Sequence, residues 1–143
     1  MNKLAVKPCE LCDSAAEEAL WQDELCRVVL VEDRDYPGFC RVIVNQHVSE
    51  MTDLDAPARY RLMCVVFAVE QALRQLMRPA KINLASLGNM VPHLHWHVIP
   101  RFADDKHFPG SVWSEERRPG ATRSVDSAAL QQVLHKLLQA VAE

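Results

Sequence analysis

Apolar residues change their period twice along the chain. Leu25–Val31 (LCRVVLV) is a short run dense in apolar and β-branched residues, and Phe39–Asn45 (FCRVIVN) repeats the pattern after the polar loop EDRDYPG. Both runs read as strands, and the Pro-Gly turn signal between them makes them antiparallel neighbours. Thr52 and Asp55 are candidate helix N-caps, and Pro57 suits a first helical turn. From there the period lengthens. Leu62, Val65, Val69, Leu73 and Leu76 recur at three and four residues, which predicts one apolar face of a helix from Pro57 to Met77, stopped by Pro79. Lys81–Leu87 and Pro92–Pro100 read as a third and a fourth strand, parted by a turn at Gly88-Asn89. Residues 103–125 are polar and rich in Pro and Gly, a long loop of the kind that carries function. Residues 126–142 form a last helix capped by Asp126, with Leu130, Val133 or Leu134, Leu137 and Val141 on one face. The order β-β-α-β-β with a trailing helix predicts an α+β fold in one domain spanning residues 1–143.

The fourth strand carries His93, His95 and His97 at every second position, half of the six histidines in the chain. Alternate residues of a strand share a face, so the three imidazoles are expected side by side, with Leu94, Trp96 and Val98 turned the other way into a core. Three readings stand: a solvated strand face, a metal site, or nucleophilic catalysis. A nucleophilic imidazole needs one nitrogen free for the electrophile and the other held by an acceptor that fixes the tautomer. The middle ring, flanked on both sides, is the natural nucleophile.

Composition narrows the partners. A net charge of −3 and the lack of any block of like charges argue against nucleic acid and membrane surfaces, and leave a small anionic substrate open. Met1–Lys7 shows no signal-peptide pattern, and five cysteines without one fit reduced thiols in the cytoplasm. Cys26, Cys40 and Cys64 read as small core residues, and His107 and His135 as solvated. Cys9 and Cys12 form a C-x-x-C that fits zinc, redox chemistry or chance; a thioredoxin-like site would need a preceding strand that this chain does not offer.

HLHWHVI, residues 93–99, resembles the His-φ-His-φ-His-φ-φ signature (φ apolar) of the histidine triad superfamily of nucleotide hydrolases and transferases. The resemblance extends through RVIVNQHVSEMTDLD, the LGNM turn and PRF, and covers roughly residues 9–113. It implies the family's antiparallel sheet with a long central helix. It implies His95 as the nucleophile on the α-phosphate of a nucleotide, with an adenosine or guanosine monophosphate moiety, passing through a nucleotidyl-histidine. The His93 carbonyl would hold the nucleophile's other nitrogen, and His97 would contact phosphate oxygens near the leaving group. Gly88 and Asn89 would stabilise phosphoryl charge. Glu32 or Asp33 would hold the ribose, Asn83 would lie near sugar and phosphate, and Val29 or Leu30 would pack on the base or in the core. Trp113 would stand at the leaving-group end or anchor the loop. Cys9, Cys12, His47 and His93 would hold a structural zinc. A homodimer is implied as well. Asn89 stands where relatives have Gln and Met90 where they have Ser or Thr, and the turn is short, so the leaving group is left between a phosphoramidate and a polyphosphate. Two other classes compete: a non-catalytic nucleotide-binding module and a zinc-stabilised interaction protein.

Overall fold

The computed structural model describes residues 9–13 and 18–142, so the reading of Met1–Lys7 lies outside the described residues, as does the side chain of Val141. A one-turn helix α1 (Glu10–Asp13) precedes β1 (Trp21–Gln22), β2 (Cys26–Leu30) and β3 (Cys40–Val44); then follow α2 (Ala56–Met77), β4 (Lys81–Ala85), β5 (His95–Arg101) and α3 (Ser127–Ala142). The five strands pair antiparallel in the order β1-β2-β3-β5-β4. The α+β reading and both long helices hold. The additions are α1 and β1, four and two residues long, too short to leave a periodic trace.

The pleat divides the sheet into two chemistries. Cys26 and Val28 of β2, Val42 and Val44 of β3, Ile82 of β4 and Val98 of β5 are buried in one core with Leu62, Val65, Val69 and Leu73 of α2 and Leu130, Leu134 and Leu138 of α3. The opposite face collects Arg27 and Val29, Arg41 and Ile43, His95 and His97, and Asn83 and Ala85, as the pairings Arg27↔Ile43, Val29↔Arg41, Ile43↔His95, Arg41↔His97 and Ala85↔His97 require.

α2 begins where Asp55 Oδ1 accepts the Ala58 N–H at 2.9 Å, with Pro57 in the first turn, and ends at Arg78 in the left-handed conformation (φ 48°). Thr52 is not a cap. It lies in a 3-10 turn, Met51–Asp53, where the Asp53 carboxylate accepts the N–H groups of Ser49 and Glu50. Leu76 leaves the expected apolar face and is 38% exposed, because Met77, one residue on, packs against the core in its place. Cys26 and Cys40 are fully buried, whereas Cys64 is only half-buried. Gly38, at φ +88°, is fixed by both torsion and space: a Cβ there would meet Met77 Sδ at 2.5 Å.

Strand β5 starts at His95, not at Pro92. Proline has no N–H for a ladder, and the chain at His93-Leu94 pairs irregularly. Leu94 N–H donates to the Val48 carbonyl at 2.7 Å, and the Leu94 carbonyl accepts from Val44 N–H at 3.2 Å. His93 therefore stands just ahead of the strand, and only His95 and His97 share its face. β4 likewise ends at Ala85, leaving Leu87 exposed.

The segment 103–125 has no regular structure and is nevertheless pinned. Arg101, at the end of β5 and 2% exposed, donates to the Asp105 carboxylate through Nε (2.8 Å) and Nη2 (3.0 Å), to Asn83 Oδ1 through Nη1 (2.8 Å) and to the Gly110 carbonyl (2.6 Å). Asp105 in turn accepts the N–H groups of Phe102, His107 and Phe108. Burial alone would raise the Asp105 pKa, but the guanidinium and these three donors outweigh it and hold the carboxyl well below its usual range. Arg118 ties the returning chain to the Asp105 and Phe108 carbonyls. His107 is not solvated: its ring stacks on Tyr36 and hydrogen-bonds the Tyr36 hydroxyl. His135 is exposed as expected, with Nε2 3.0 Å from the Leu20 carbonyl.

Candidate active site and metal centre

His93 sits where three segments converge. Its Nε2 is 2.5 Å from the Val44 carbonyl. A carbonyl only accepts, so Nε2 carries the proton and Nδ1 presents a lone pair. That lone pair faces Cys9 Sγ at 3.4 Å, Cys12 Sγ at 3.4 Å and His47 Nδ1 at 3.1 Å, and His47 Nδ1 is 3.3 Å from Cys12 Sγ. All four donor atoms lie within 4.8 Å of one another. With Zn–N near 2.0 Å and Zn–S near 2.3 Å, the edges of a tetrahedral site are about 3.3–3.8 Å, and the contacts of His93 with Cys9, Cys12 and His47 and of His47 with Cys12, 3.1–3.4 Å, are within a few tenths of that. Helix α1 brings the two cysteines together, and the Cys12 N–H donates to Cys9 Sγ. The four residues can hold a metal ion.

The same residue orients its neighbour. The His93 carbonyl accepts from His95 Nδ1 at 2.5 Å. The neutral His95 ring thus keeps its proton on Nδ1 and its lone pair on Nε2. Ser86 Oγ donates to the His95 carbonyl at 2.8 Å, fixing the backbone from the other side. The His97 ring meets His95 edge-on (centroids 4.8 Å apart), and also Phe39 (5.6 Å) and Trp113 (5.0 Å). Its Nδ1 is buried without a hydrogen-bond partner among the described residues.

One hollow touches His93 and His95, and a second adjoins the site through Arg41, the strand partner of His97. The first, about 350 Å³, is lined by His93, His95, Gly88, Ser86 and the Met51–Thr52 turn. The other, about 720 Å³, runs over the end of β2 and is lined by Val29, Leu30, Val31, Glu32 and Arg41, with Ser127, Ala128 and Gln131 of α3 as its far wall. Glu32 faces this cavity. Asp33 does not, since its Oδ1 accepts the Asp35 N–H at 2.9 Å inside the turn. Trp113 is brought to the triad yet stays half exposed, so it is no buried anchor. Gly88 reaches the smaller hollow at φ +72°. Asn89 is exposed and hydrogen-bonds nothing among the described residues, and Met90 is 95% exposed. Asn83 is spent on Arg101 through its Oδ1. The sequence reading passed over Arg41, whose signal was its place in a strand that otherwise reads apolar, one pairing away from a histidine.

Residues 14–104 match the HIT domain model, and the protein belongs to the HIT domain family. The fold agrees. A histidine triad protein from Marinobacter aquaeolei is 30% identical with a TM-score of 0.67, over 86% of this chain and 89% of that one. A zinc-bound histidine triad family protein from Mycobacterium smegmatis shares the fold at 22% identity, TM-score 0.59, over 94% and 95% of the two chains. An AP-4-A phosphorylase of Mycobacterium tuberculosis is 30% identical over 78 residues, 50% of this chain and 40% of that protein, so the chain matches less than half the length of this relative.

Burial is the first cause that lowers the pKa of His93, His95 and His97. For His97 the adjacent His95 and Arg41 add to it, bringing the pKa down to about 4. A histidine held neutral in the fold binds fewer protons than in the unfolded chain, so stability rises with pH between the two pKa values, here from about 4 to 6.5, and is lost as pH falls through that window. Replacing His97 with Asn is expected to flatten the stability slope there by up to one proton's worth, about 1.4 kcal/mol per pH unit. Urea unfolding midpoints of both proteins from pH 4 to 7 check this; parallel slopes would refute it.

Proposed function

We propose that the protein hydrolyses nucleotide conjugates, with His95 Nε2 attacking the α-phosphate. The observation that carries this reading is the His93 carbonyl on His95 Nδ1, which leaves the nucleophilic lone pair on Nε2 in a ring that burial keeps neutral. In the first step the N–P bond forms and the bond from phosphorus to the leaving group breaks. The leaving group departs with a proton, and a nucleotidyl-histidine remains. Water then attacks the same phosphorus, releases the nucleoside monophosphate and restores His95. His97 stands beside His95 to meet phosphoryl oxygens, and Trp113 meets the His97 ring edge-on to line the leaving-group end. Glu32, at the wall of the larger cavity, is the better ribose partner than Asp33, and Val29 supplies apolar surface for a base.

The substrate is a nucleoside phosphoramidate or a dinucleoside polyphosphate. The C-x-x-C opening leans to the first, and the name of the mycobacterial relative to the second. The exposed Asn89 and Met90 keep a second reading open, a nucleotide-binding module with little turnover. The test is a panel of adenosine 5′-phosphoramidate, a diadenosine polyphosphate and an aminoacyl-adenylate. Turnover of at least one is expected, with a loss of 1,000-fold or more in His95→Ala, on the order of a removed nucleophile. AMP binding with no turnover in wild type would move the protein to the second reading.

We assign zinc to the Cys9, Cys12, His47 and His93 cluster in a structural role. The two-thiolate, two-imidazole donor set and the zinc-bound mycobacterial neighbour support it. When bound, the ion would clamp the His93 ring and with it the carbonyl that orients His95. About one zinc per chain is expected by a colorimetric chelator assay, and Cys12→Ser should release it at a 10-fold or greater lower chelator concentration. Absence of metal after purification and zinc reloading would sink the assignment. Five free thiols suit a reducing cytoplasm, and no helix among the described residues is long and apolar enough to cross a membrane. The open edge of β4 and the exposed Tyr60 and Phe67 of α2 support a homodimer, and sedimentation velocity at micromolar concentration should find one, a monomer refuting it.

A further inference from the structure

One further side chain on the triad face of the sheet is Arg41. It lies on β3, directly opposite Val29 on one side and His97 on the other, so its side chain rises from the triad face of the sheet. It lines the 720 Å³ cavity at the end nearest the histidines. It forms no ion pair and no hydrogen bond among the described residues, and its Nε is buried from solvent. Its strand-pair neighbours are a valine and a neutral imidazole, neither of which balances its charge. That charge is felt at both His95 and His97.

A partly buried guanidinium with no counter-ion is costly to keep, because water cannot reach all its donors and nothing replaces it. The arrangement makes sense when an anion completes it. A guanidinium offers a planar fork of donors, the geometry that suits phosphate oxygens. The turn that would otherwise bind those oxygens is depleted: Gly88 offers backbone, Asn89 points to solvent, and Met90, 95% exposed, carries no hydroxyl. Glu32 lines the same cavity yet stands outside ion-pair distance of Arg41. The lining of that cavity therefore combines the carboxylates of Glu18 and Glu32, apolar surface at Val29 and Leu30, and a cation paired across the strands with His97, groups suited to the hydroxyls, base and phosphate of a nucleoside 5′-phosphate.

The geometry points to Arg41 as the residue that binds the non-bridging oxygens of the substrate's phosphate, supplying from β3 the charge that the Gly88–Met90 turn lacks. This rests on the nucleotide reading above and names the group that reads its phosphate. Nothing in the sequence signature of the triad includes this position.

The test is calorimetric titration of the full chain with AMP, adenosine and inorganic phosphate, in wild type, Arg41→Met and Arg41→Lys. Charge-assisted hydrogen bonds of this kind are worth about 10- to 100-fold in affinity. Arg41→Met is expected to bind AMP weaker by about that factor while binding adenosine as wild type does, which also shows that the cavity is intact. Arg41→Lys, which retains the charge and the stem, is expected to fall between the two; it stands in if the methionine variant unfolds. Unchanged AMP affinity in either variant overturns the inference, and so does an equal loss for adenosine and AMP. Phosphate binding that depends on Arg41, with no adenosine binding in wild type, would retire the nucleotide reading and keep the anion site. A wild type that binds none of the three overturns both.

Discussion

One residue, His93, joins everything that matters in the site. Its ring nitrogens are divided between a backbone carbonyl and the cysteine–histidine cluster, and its own carbonyl sets the tautomer of His95. Neither nitrogen could change partner without disturbing the others. If Nδ1 held the proton, its lone pair would no longer face Cys9, Cys12 and His47. If the backbone shifted to release the Val44 carbonyl, the carbonyl on His95 would shift with it. The N-terminal cysteines, the end of β3 and the start of β5 are thus tied through a single imidazole and its peptide group. In metal sites the ring of a histidine ligand is commonly fixed by an acceptor on its other nitrogen; here the ring held by the Val44 carbonyl belongs to the residue that also orients the candidate nucleophile.

The sheet supports this by segregating its two faces. Most of the apolar weight of β2, β3 and β5 goes to α2 and α3 on one side, while Val29, Ile43 and Ile99 pack in two small clusters apart from it. The other face is free to hold two arginines and two histidines close together, which no core would tolerate unpaired. Arg27 and Arg101, both almost fully buried, donate to the Leu11 and Gly110 carbonyls, the Asn45 and Asn83 amide oxygens and the Asp105 carboxylate. Arg41 is the one left facing the cavity.

Much of this was legible in the residues. The change of period from two to between three and four located every element longer than four residues, and the alternate histidines located the site. What the pattern misjudged has physical reasons. Strict alternation placed His93 on the strand, but Pro92 and the Val48 carbonyl delay the strand until His95. The loop 103–125 read only as polar and irregular, because the grip of Arg101, a residue outside it, leaves no trace in the loop's own composition. Glu32 and Asp33 could not be told apart in sequence, because only the turn at Asp35 shows which carboxylate is already occupied. Arg41 drew no attention because a lone arginine in an apolar strand has no periodic signature.

The anchoring of that loop has a consequence for how the family member can change. Arg101 and Arg118 hold carbonyls of Gly110, Asp105 and Phe108, and Asp105 holds N–H groups of Phe102, His107 and Phe108. These grips are on the main chain, which every amino acid carries. In the stretch from Ser111 to Glu116, Val112 packs on the Tyr36–Phe39–Ile99 cluster, Ser114 bonds the Ser111 carbonyl and Glu116 pairs with Lys106; the other side chains can therefore be exchanged without reopening the problem of folding the segment. Trp113 sits inside that stretch, against His97. A lineage could revise what the outer side of the triad meets by single substitutions on a scaffold that stays put, while the inner side, bound up with the cysteines and the sheet, has no such latitude.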